Sequence, residues 1–274
     1  MKKIMFLVVL LLFVVSMGYC SNESFVIKEL DLELIKCPAG RFMMGSPEDE
    51  FGREDRLDEK LHSVIISKPF YIGKYEVTQS QYESVMGYNP SFFRRGNNPV
   101  ESVNLFKAKI FCIKLNFLYK NYLPKGYRFD LPTEAQWEYA CRAGTTTALN
   151  SGKNITSDMY ACKNFDEVGW YDDNSDRQAH PVGMKKPNAW GIYDMHGNVF
   201  EWCNGFYGEY PEEEVIDPKG IAPKDDNDGI YYILRGGCWN SDADRNRSAS
   251  RGLTKSPYIG DGVTGFRVAV VPVE

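Results

Sequence analysis

Between Gly144 and residue 230 the chain offers few runs that a helix or a strand could use. Apolar residues stand there among Gly, Asn, Asp and Pro, with little of the 3.6-residue or 2-residue period that regular elements need. A stretch of this kind is either disordered or folded as packed loops. Composition rejects disorder, because 43% of the residues are hydrophobic and 14% aromatic, ample material for a core. Long ordered loops inside one compact domain are unusual and tend to carry function. With no internal repeat, no Pro/Ser linker and no break in composition, residues 24–274 read as one α+β domain with little regular secondary structure.

The first half is more regular. Phe25 to Cys37 and Arg41 to Met44, with Pro38-Ala39-Gly40 between them, read as a hairpin, and Val64 to Ile66 and Phe70 to Tyr75 as further strands. Two helices are marked by capping boxes, in which a hydroxyl and a Gln three residues on satisfy otherwise orphaned amides. Thr78-Gln79-Ser80-Gln81 opens a helix to about Met86 that Gly87 ends. Thr133-Glu134-Ala135-Gln136 opens another to about Arg142 that Gly144 ends. Asn104 to Tyr119 reads as a longer helix, with Phe106, Ile110, Leu115 and Leu118 roughly on one face.

The N-terminus carries an export signal. Lys2 and Lys3 precede the apolar run Phe6 to Val15 and then Ser16-Met17-Gly18-Tyr19-Cys20, the pattern of a secretory signal peptide over residues 1–20. The run is shorter than the roughly 20 apolar residues of a membrane span. Cys20 is the candidate acylated cysteine of a bacterial lipoprotein, although Tyr19 occupies a position that normally holds a small residue. The expected location is the cell envelope, periplasm or outer surface, with the membrane touched only through that anchor. Without Cys20 six cysteines remain, an even number that permits disulfides in an exported chain, and no C-x-x-C pair suggests zinc. His62, His180 and His196 are too scattered for a local metal motif. A net charge of -5 and a pI near 5.4 argue against nucleic acid or an anionic membrane as partner, since either would call for a basic stripe.

Several blocks then match a family. Pro38-Ala39-Gly40-Arg41-Phe42-Met43-Met44-Gly45-Ser46, Lys74-Tyr75-Glu76-Val77-Thr78 and Asn98-Pro99-Val100-Glu101 come first. Leu131-Pro132-Thr133-Glu134-Ala135-Gln136-Trp137-Glu138-Tyr139-Ala140 follows, and then Gly191-Ile192-Tyr193-Asp194-Met195-His196-Gly197-Asn198-Val199-Phe200-Glu201-Trp202. Arg235-Gly236-Gly237 and Gly265-Phe266-Arg267 close the series. In order and spacing these resemble the formylglycine-generating enzyme (sulfatase-modifying factor) family across essentially the whole mature chain. The resemblance implies a variant of the C-type lectin fold, with a mixed sheet and long packed loops.

It also implies chemistry that can be checked residue by residue. Asp194 and Glu201 put two carboxylates around a glycine turn, an arrangement that suits a hard cation, although such carboxylates can equally cap backbone amides. The resemblance assigns a structural calcium to the side chains of Asp194 and Glu201 and the carbonyls of Gly197 and Val199. The run Asp225-Asp226-Asn227-Asp228-Gly229 lacks the closing glutamate of a calcium loop and reads as a solvated turn. The family's enzymes hold copper through two cysteines after an Arg-Gly-Gly-Ser strand, because soft thiolates select Cu(I). Here Ser241 and Asn246 occupy those two positions, so no copper and no catalytic residue are expected. The family's disulfides are also broken: Cys112 and Cys141 face positions that hold Val268 and Ser248.

Residues 240–264 are polar, rich in Asn, Asp, Ser, Arg and Gly, and framed by Arg235-Gly236-Gly237-Cys238-Trp239 and Gly265-Phe266-Arg267-Val268-Ala269-Val270. This segment resembles the ligand-binding end of variable proteins encoded beside diversity-generating retroelements, of the treponemal type. In those proteins randomised asparagine codons never yield Glu, Gln, Met or Trp, and the segment contains none of the four. The expectation is an exported binding protein that presents Asn240, Ser241, Asp242, Asp244, Asn246, Ser250, Thr254, Tyr258, Ile259 and Asp261 to a protein or glycan, with Trp239 anchoring the loop. The other class is an oxidase, or an accessory factor, of the formylglycine type acting on exported sulfatases.

Overall fold

A computed structural model describes residues 24–53, 59–156, 162–220 and 229–273. The signal peptide, Cys20 and Asp225 to Asp228 lie outside the described residues. In chain order the elements are β1 (Ser24–Ile27), β2 (Leu32–Cys37), β3 (Gly40–Met44), β4 (His62–Ile66), β5 (Phe70–Gly73), α1 (Gln79–Met86), α2 (Leu105–Leu118), β6 (Tyr127–Asp130) and α3 (Glu134–Arg142). The second half has only short pieces: α4 (Lys163–Asp166), β7 (Gly169–Trp170), β8 (His196–Gly197), β9 (Phe200–Phe206), β10 (Val215–Ile216), β11 (Tyr232–Arg235), β12 (Gly252–Thr254), β13 (Thr264–Gly265) and β14 (Ala269–Pro272).

A five-stranded sheet runs β1-β2-β5-β14-β6, all antiparallel, so the last strand lies between two early ones and closes the chain on itself. A second sheet, β12-β11-β9-β13, carries the C-terminal segment and is mixed, because β13 runs parallel to β9. Smaller sheets join β10-β4-β3 and β7-β8. The result is the α+β, loop-rich, lectin-like architecture that the sequence implied.

Both capping boxes are formed. Thr78 accepts from the Gln81 amide at 3.2 Å while Gln81 Oε1 accepts from the Thr78 amide at 2.9 Å, and Thr133 with Gln136 repeats the arrangement. Two expectations need correction. Leu32–Cys37 does not form a hairpin with Arg41–Met44; β2 pairs with β1 and β5, and β3 with β4. Proline has no amide to give a ladder, and Pro38-Ala39 serves as a corner between two sheets. A Cβ at Gly40 would run into the Tyr139 hydroxyl, so the corner is packed as well as bent. The second correction is the face of α2. Leu105, Ala108, Phe111, Cys112 and Leu115 enter the core, whereas Phe106, Ile110 and Leu118 are exposed, so of the four expected inward residues only Leu115 is buried.

The six described cysteines are free and buried. Cys141 Sγ lies 3.6 Å from Ser248 Oγ, the position implied to have lost its partner thiol, and Cys112 shares a core cluster with Val268.

Candidate ligand-binding face

The C-terminal segment is held from beneath by buried arginines. Arg235 sits between Glu138 and the carbonyls of Ser248, Ala249 and Ser250. Arg247 forks onto both oxygens of Glu59 at 2.8 and 2.9 Å and reaches Glu50 at 2.7 Å. Arg251 forks onto Glu134 at 2.8 and 3.0 Å. All three guanidiniums are buried, and their carboxylates come from α3 or from residues 50–59, far away in sequence. Planar bidentate pairs fix direction as well as distance, so the backbone from 247 to 251 is clamped against α3 and the loop after β3.

That clamp sorts the candidate residues. Asn240, Tyr258 and Asp261 are exposed, and Asp242, Asp244 and Ile259 partly so. Ser241, Asn246, Ser250 and Thr254 are buried, contrary to the expectation that they project outward. Each has an internal use: the Asn246 amide donates to the Ser241 and Asp242 carbonyls, Ser250 offers its carbonyl to Arg235, and the Thr254 hydroxyl accepts from the Ser256 amide. Trp239 is half-buried. Its indole N–H donates to the Gly262 carbonyl at 3.0 Å, which ties the start of the segment to its end.

Aromatic neighbours that sequence reading passed over complete the rim. Phe93 meets the edge of Trp239 with centroids 6.2 Å apart, Phe92 stands beside it at 77% exposure, and Phe106 packs on Tyr258 at 5.1 Å. No periodicity marks Phe92 and Phe93, and Phe106 was read only as part of the α2 face.

At the two positions where the family's enzymes hold copper, Ser241 Oγ lies 3.0 Å from Cys238 Sγ and Asn246 is turned to the backbone. Cys238 is the thiol at this spot, and burial raises it to about 11, far from the thiolate a soft metal wants. Gly237, at φ 74°, has no room for a side chain because the Asn246 amide fills it.

A second buried cluster lies under β8 and β9. Glu201 accepts two bonds from Arg267, both 2.7 Å, and one from the Trp137 indole at 2.8 Å. Asp194, at φ 57°, accepts from the Gly183 amide at 2.7 Å through one oxygen, and its other oxygen is buried with no partner. Glu76, bonded to the Asn198 amide group at 2.9 Å, completes a set of three buried carboxylates against one guanidinium. Burial, followed by the Glu201 charge, raises Asp194 to about 6, and burial with the Asp194 and Glu201 charges raises Glu76 well above the carboxylate range. Among the described residues no group of three or more His, Cys, Asp or Glu side chains is arranged to hold a metal ion. In donors the cluster fits a cation only partly: Asp194 has one oxygen without a partner, but Glu201 has both of its oxygens engaged.

A separate cleft of about 300 Å³ is lined by Lys68, Arg128, Asp130, Gln136 and Asp217 and contains none of the candidate ligand or metal residues.

Residues 28–271 match the model of the sulfatase-modifying factor enzyme 1-like domain. The chain belongs to that family. It is similar to the chaperone protein LppX of Paenibacillus barcinonensis, 36% identical over 199 residues that cover 55% of this chain and 68% of that one. Mouse formylglycine-generating enzyme is 28% identical across 81% of this chain and 57% of its own length. The protein named serine/threonine-protein kinase pkn1 of Chlamydia caviae is 37% identical over 92% of this chain, which spans only 40% of that protein. Among solved structures, Treponema denticola variable protein 1 superimposes with a TM-score of 0.75 at 28% identity, covering 92% of this chain and 99% of its own. PvdO of Pseudomonas aeruginosa gives 0.73, also at 28% identity, with 91% and 98% covered. This member of the sulfatase-modifying factor family thus shares its whole fold with both a variable protein and PvdO.

Proposed function

We propose that this chain is an exported, non-catalytic member of its family that captures a protein or glycan ligand on the rim formed by Asn240, Asp242, Tyr258, Ile259 and Asp261, with Trp239 and Phe92 beside them. The observation that carries this reading is the contrast of a rim made of short polar and aromatic side chains on a backbone clamped by buried arginines. Such a surface supplies adaptable hydrogen bonds and aromatic contact area at low entropic cost, because the loop beneath is already ordered. The likeness to a treponemal variable protein supports the same reading, and extends it to diversification of codons 240–264 from a neighbouring template. A genomic near-copy of those codons beside a reverse transcriptase would establish that extension.

The competing reading, oxidation of a sulfatase cysteine, lacks the thiol pair. With copper and reductant supplied, no aldehyde should form in a sulfatase-motif peptide, and its detection by mass spectrometry would overturn the non-catalytic reading. Calcium at Asp194 and the carbonyls of Gly197 and Val199, with Glu201 bracing the site through Arg267, belongs to the same proposal as a structural cofactor. For the rim itself, capture of envelope or host-surface partners by the intact chain is compared with capture by a variant bearing Ser at Asn240, Asp242, Tyr258, Ile259 and Asp261. The melting temperature should stay nearly constant and the bound set should change. Identical capture by a folded variant would reject the rim.

A further inference from the structure

We propose that the outer face of α2 is a second contact surface, adjoining the C-terminal rim where Phe106 packs on Tyr258, and that it lies on an anionic lipid bilayer. The helix is apolar on two sides. Its inner side fills the core. Its outer side carries Phe106, Ile110, Ile113 and Phe117, spaced four, three and four residues apart, so they form one continuous stripe. Ile113 is 65% exposed and Phe117 82%. Single exposed apolar residues need no explanation, but four aligned ones do.

Charge decides what covers them. From Ser102 to Phe129 the chain has five lysines and one arginine and no Asp or Glu, although the whole protein carries -5. Glu101 and Asp130 border this stretch, and Asp130 pairs with Arg128 at 2.8 Å, so residues 101–130 carry +4 and the rest of the chain -9. A second copy of the chain would bring +4 against +4, which disfavours self-pairing along this helix. Large apolar side chains flanked by lysines match the boundary between acyl chains and anionic headgroups, where an interfacial helix buries its apolar face and its lysines meet phosphate.

The course of the N-terminus points the same way. The Tyr122 hydroxyl, just past the end of α2, donates to the Glu29 carboxylate at 2.8 and 2.9 Å, so the chain's first turn is fixed beside that end of the helix. Between Cys20 and Ser24 there are three residues, and the four steps span at most roughly 14 Å. With an acyl group on Cys20, the bilayer contact at the N-terminus can be no farther than that from β1. Ile113 and Phe117 lie outside the rim, so the bilayer contact and ligand capture are tested on different residues and each can fail alone.

The test uses the full chain with vesicles of one-third phosphatidylglycerol in phosphatidylcholine, and with phosphatidylcholine alone. Hydroxyl-radical oxidation is read residue by residue by mass spectrometry, with the exposed Met184 and Phe92 as references. Oxidation of Ile113 and Phe117 should fall about fivefold with anionic vesicles, less with neutral ones, and recover partly at high salt, while both references stay constant. The double variant Ile113→Ser/Phe117→Ser, with an unchanged melting temperature, should lose the part of vesicle binding that survives high salt. Unchanged oxidation of Ile113 and Phe117 on anionic vesicles would overturn the proposal. So would protection in vesicle-free buffer that grows with protein concentration, which would assign the face to a second copy, or equal protection by a soluble acidic polypeptide.

Discussion

Helix α2 and the segment 240–264 invert what their sequences suggest. The helix is apolar and displays Ile113 and Phe117 to solvent, while the segment is polar and hides Ser241, Asn246, Arg247, Ser250 and Arg251. The difference lies in what each has for a partner. A polar side chain can be buried when most of its hydrogen-bonding capacity is met, and Glu59, Glu134 and Glu138 meet it for three arginines, leaving only Arg235 Nε among them without a partner. An apolar side chain has no such directional requirement and simply waits for a surface. The inside of the segment is thus determined by distant carboxylates, while the outer stripe of the helix is left exposed.

The sharpest way to break this comparison is to remove one of those partners. Arg247→Met leaves Glu50 and Glu59 buried without their counter-charge, and removing one member of a buried pair costs about 3–5 kcal/mol. Denaturant unfolding should show that loss, and the segment's amides should exchange faster. A cost below about 1 kcal/mol would mean that the segment stands without its clamp.

Next in size is Asp194, whose folded pKa of about 6 exceeds its ordinary value of 3.8. A carboxyl raised on folding contributes stability that is fully present below 3.8 and lost as pH rises through about 6. Asp194→Asn keeps an acceptor for the Gly183 amide and cannot ionise. With chelator present, it should be more stable than the parent by up to about 3 kcal/mol at pH 7.5, and equal to it near pH 4. Comparing the two proteins at each pH cancels the opposing titration of buried His196, which burial lowers to about 4. Added calcium should reverse the order at pH 7.5, because the parent alone would bind it. An unchanged difference on adding calcium would count against the metal.

These outcomes bear on how much was readable beforehand. The capped helices were legible because a capping box is local, complete within four residues, and Thr78 and Thr133 behave as their neighbours dictate. The hairpin at Pro38 was misread because two strands separated by a tight corner look alike whether the chain folds back or changes sheets. The α2 face was misread because both sides of the helix are apolar, and period alone cannot rank two stripes. For the site, the family motifs located the segment but not its inside and outside. Ser250 and Asp242 are equally polar, and only the three-dimensional position of Arg235 separates them. Phe92 and Phe93 left no trace because their role depends on meeting Trp239 from a distant loop.

Trp239 sharpens the boundary between clamp and rim. Its ring is half-buried, so Trp239→Ala should cost about 2 kcal/mol, less than the roughly 3–5 kcal/mol for a fully buried tryptophan. The lost bond to Gly262 should loosen residues 257–262 in particular. Hydrogen exchange confined to that stretch would fit a tie between the two ends of the segment. A global loss instead would make Trp239 part of the core.

The smallest effects belong to the rim. Asn240, Asp242, Tyr258, Ile259 and Asp261 bear little of the clamp, and surface substitutions away from such features usually stay within about 0.5 kcal/mol. Asp261 needs care, because its backbone carbonyl accepts from the Ser102 amide at 2.8 Å and its side chain from the Val263 amide at 3.4 Å. Asp261→Asn keeps that acceptor and is the cleaner probe. Tyr258→Ser removes a ring that is 71% exposed but touches Phe106, so a loss of a few tenths of a kcal/mol is expected from that contact. Buried neighbours of the same polarity provide the control. Ser241→Ala takes away the hydroxyl beside Cys238, and Thr254→Ala takes away the acceptor of the Ser256 amide; each should cost about 1–2 kcal/mol. A melting series over these residues should therefore divide by burial rather than by residue type. If Ser241 and Thr254 tolerate alanine as well as Asn240 and Asp242 do, the division between clamped inside and displayed outside is wrong, and the rim would have to be redrawn to include them.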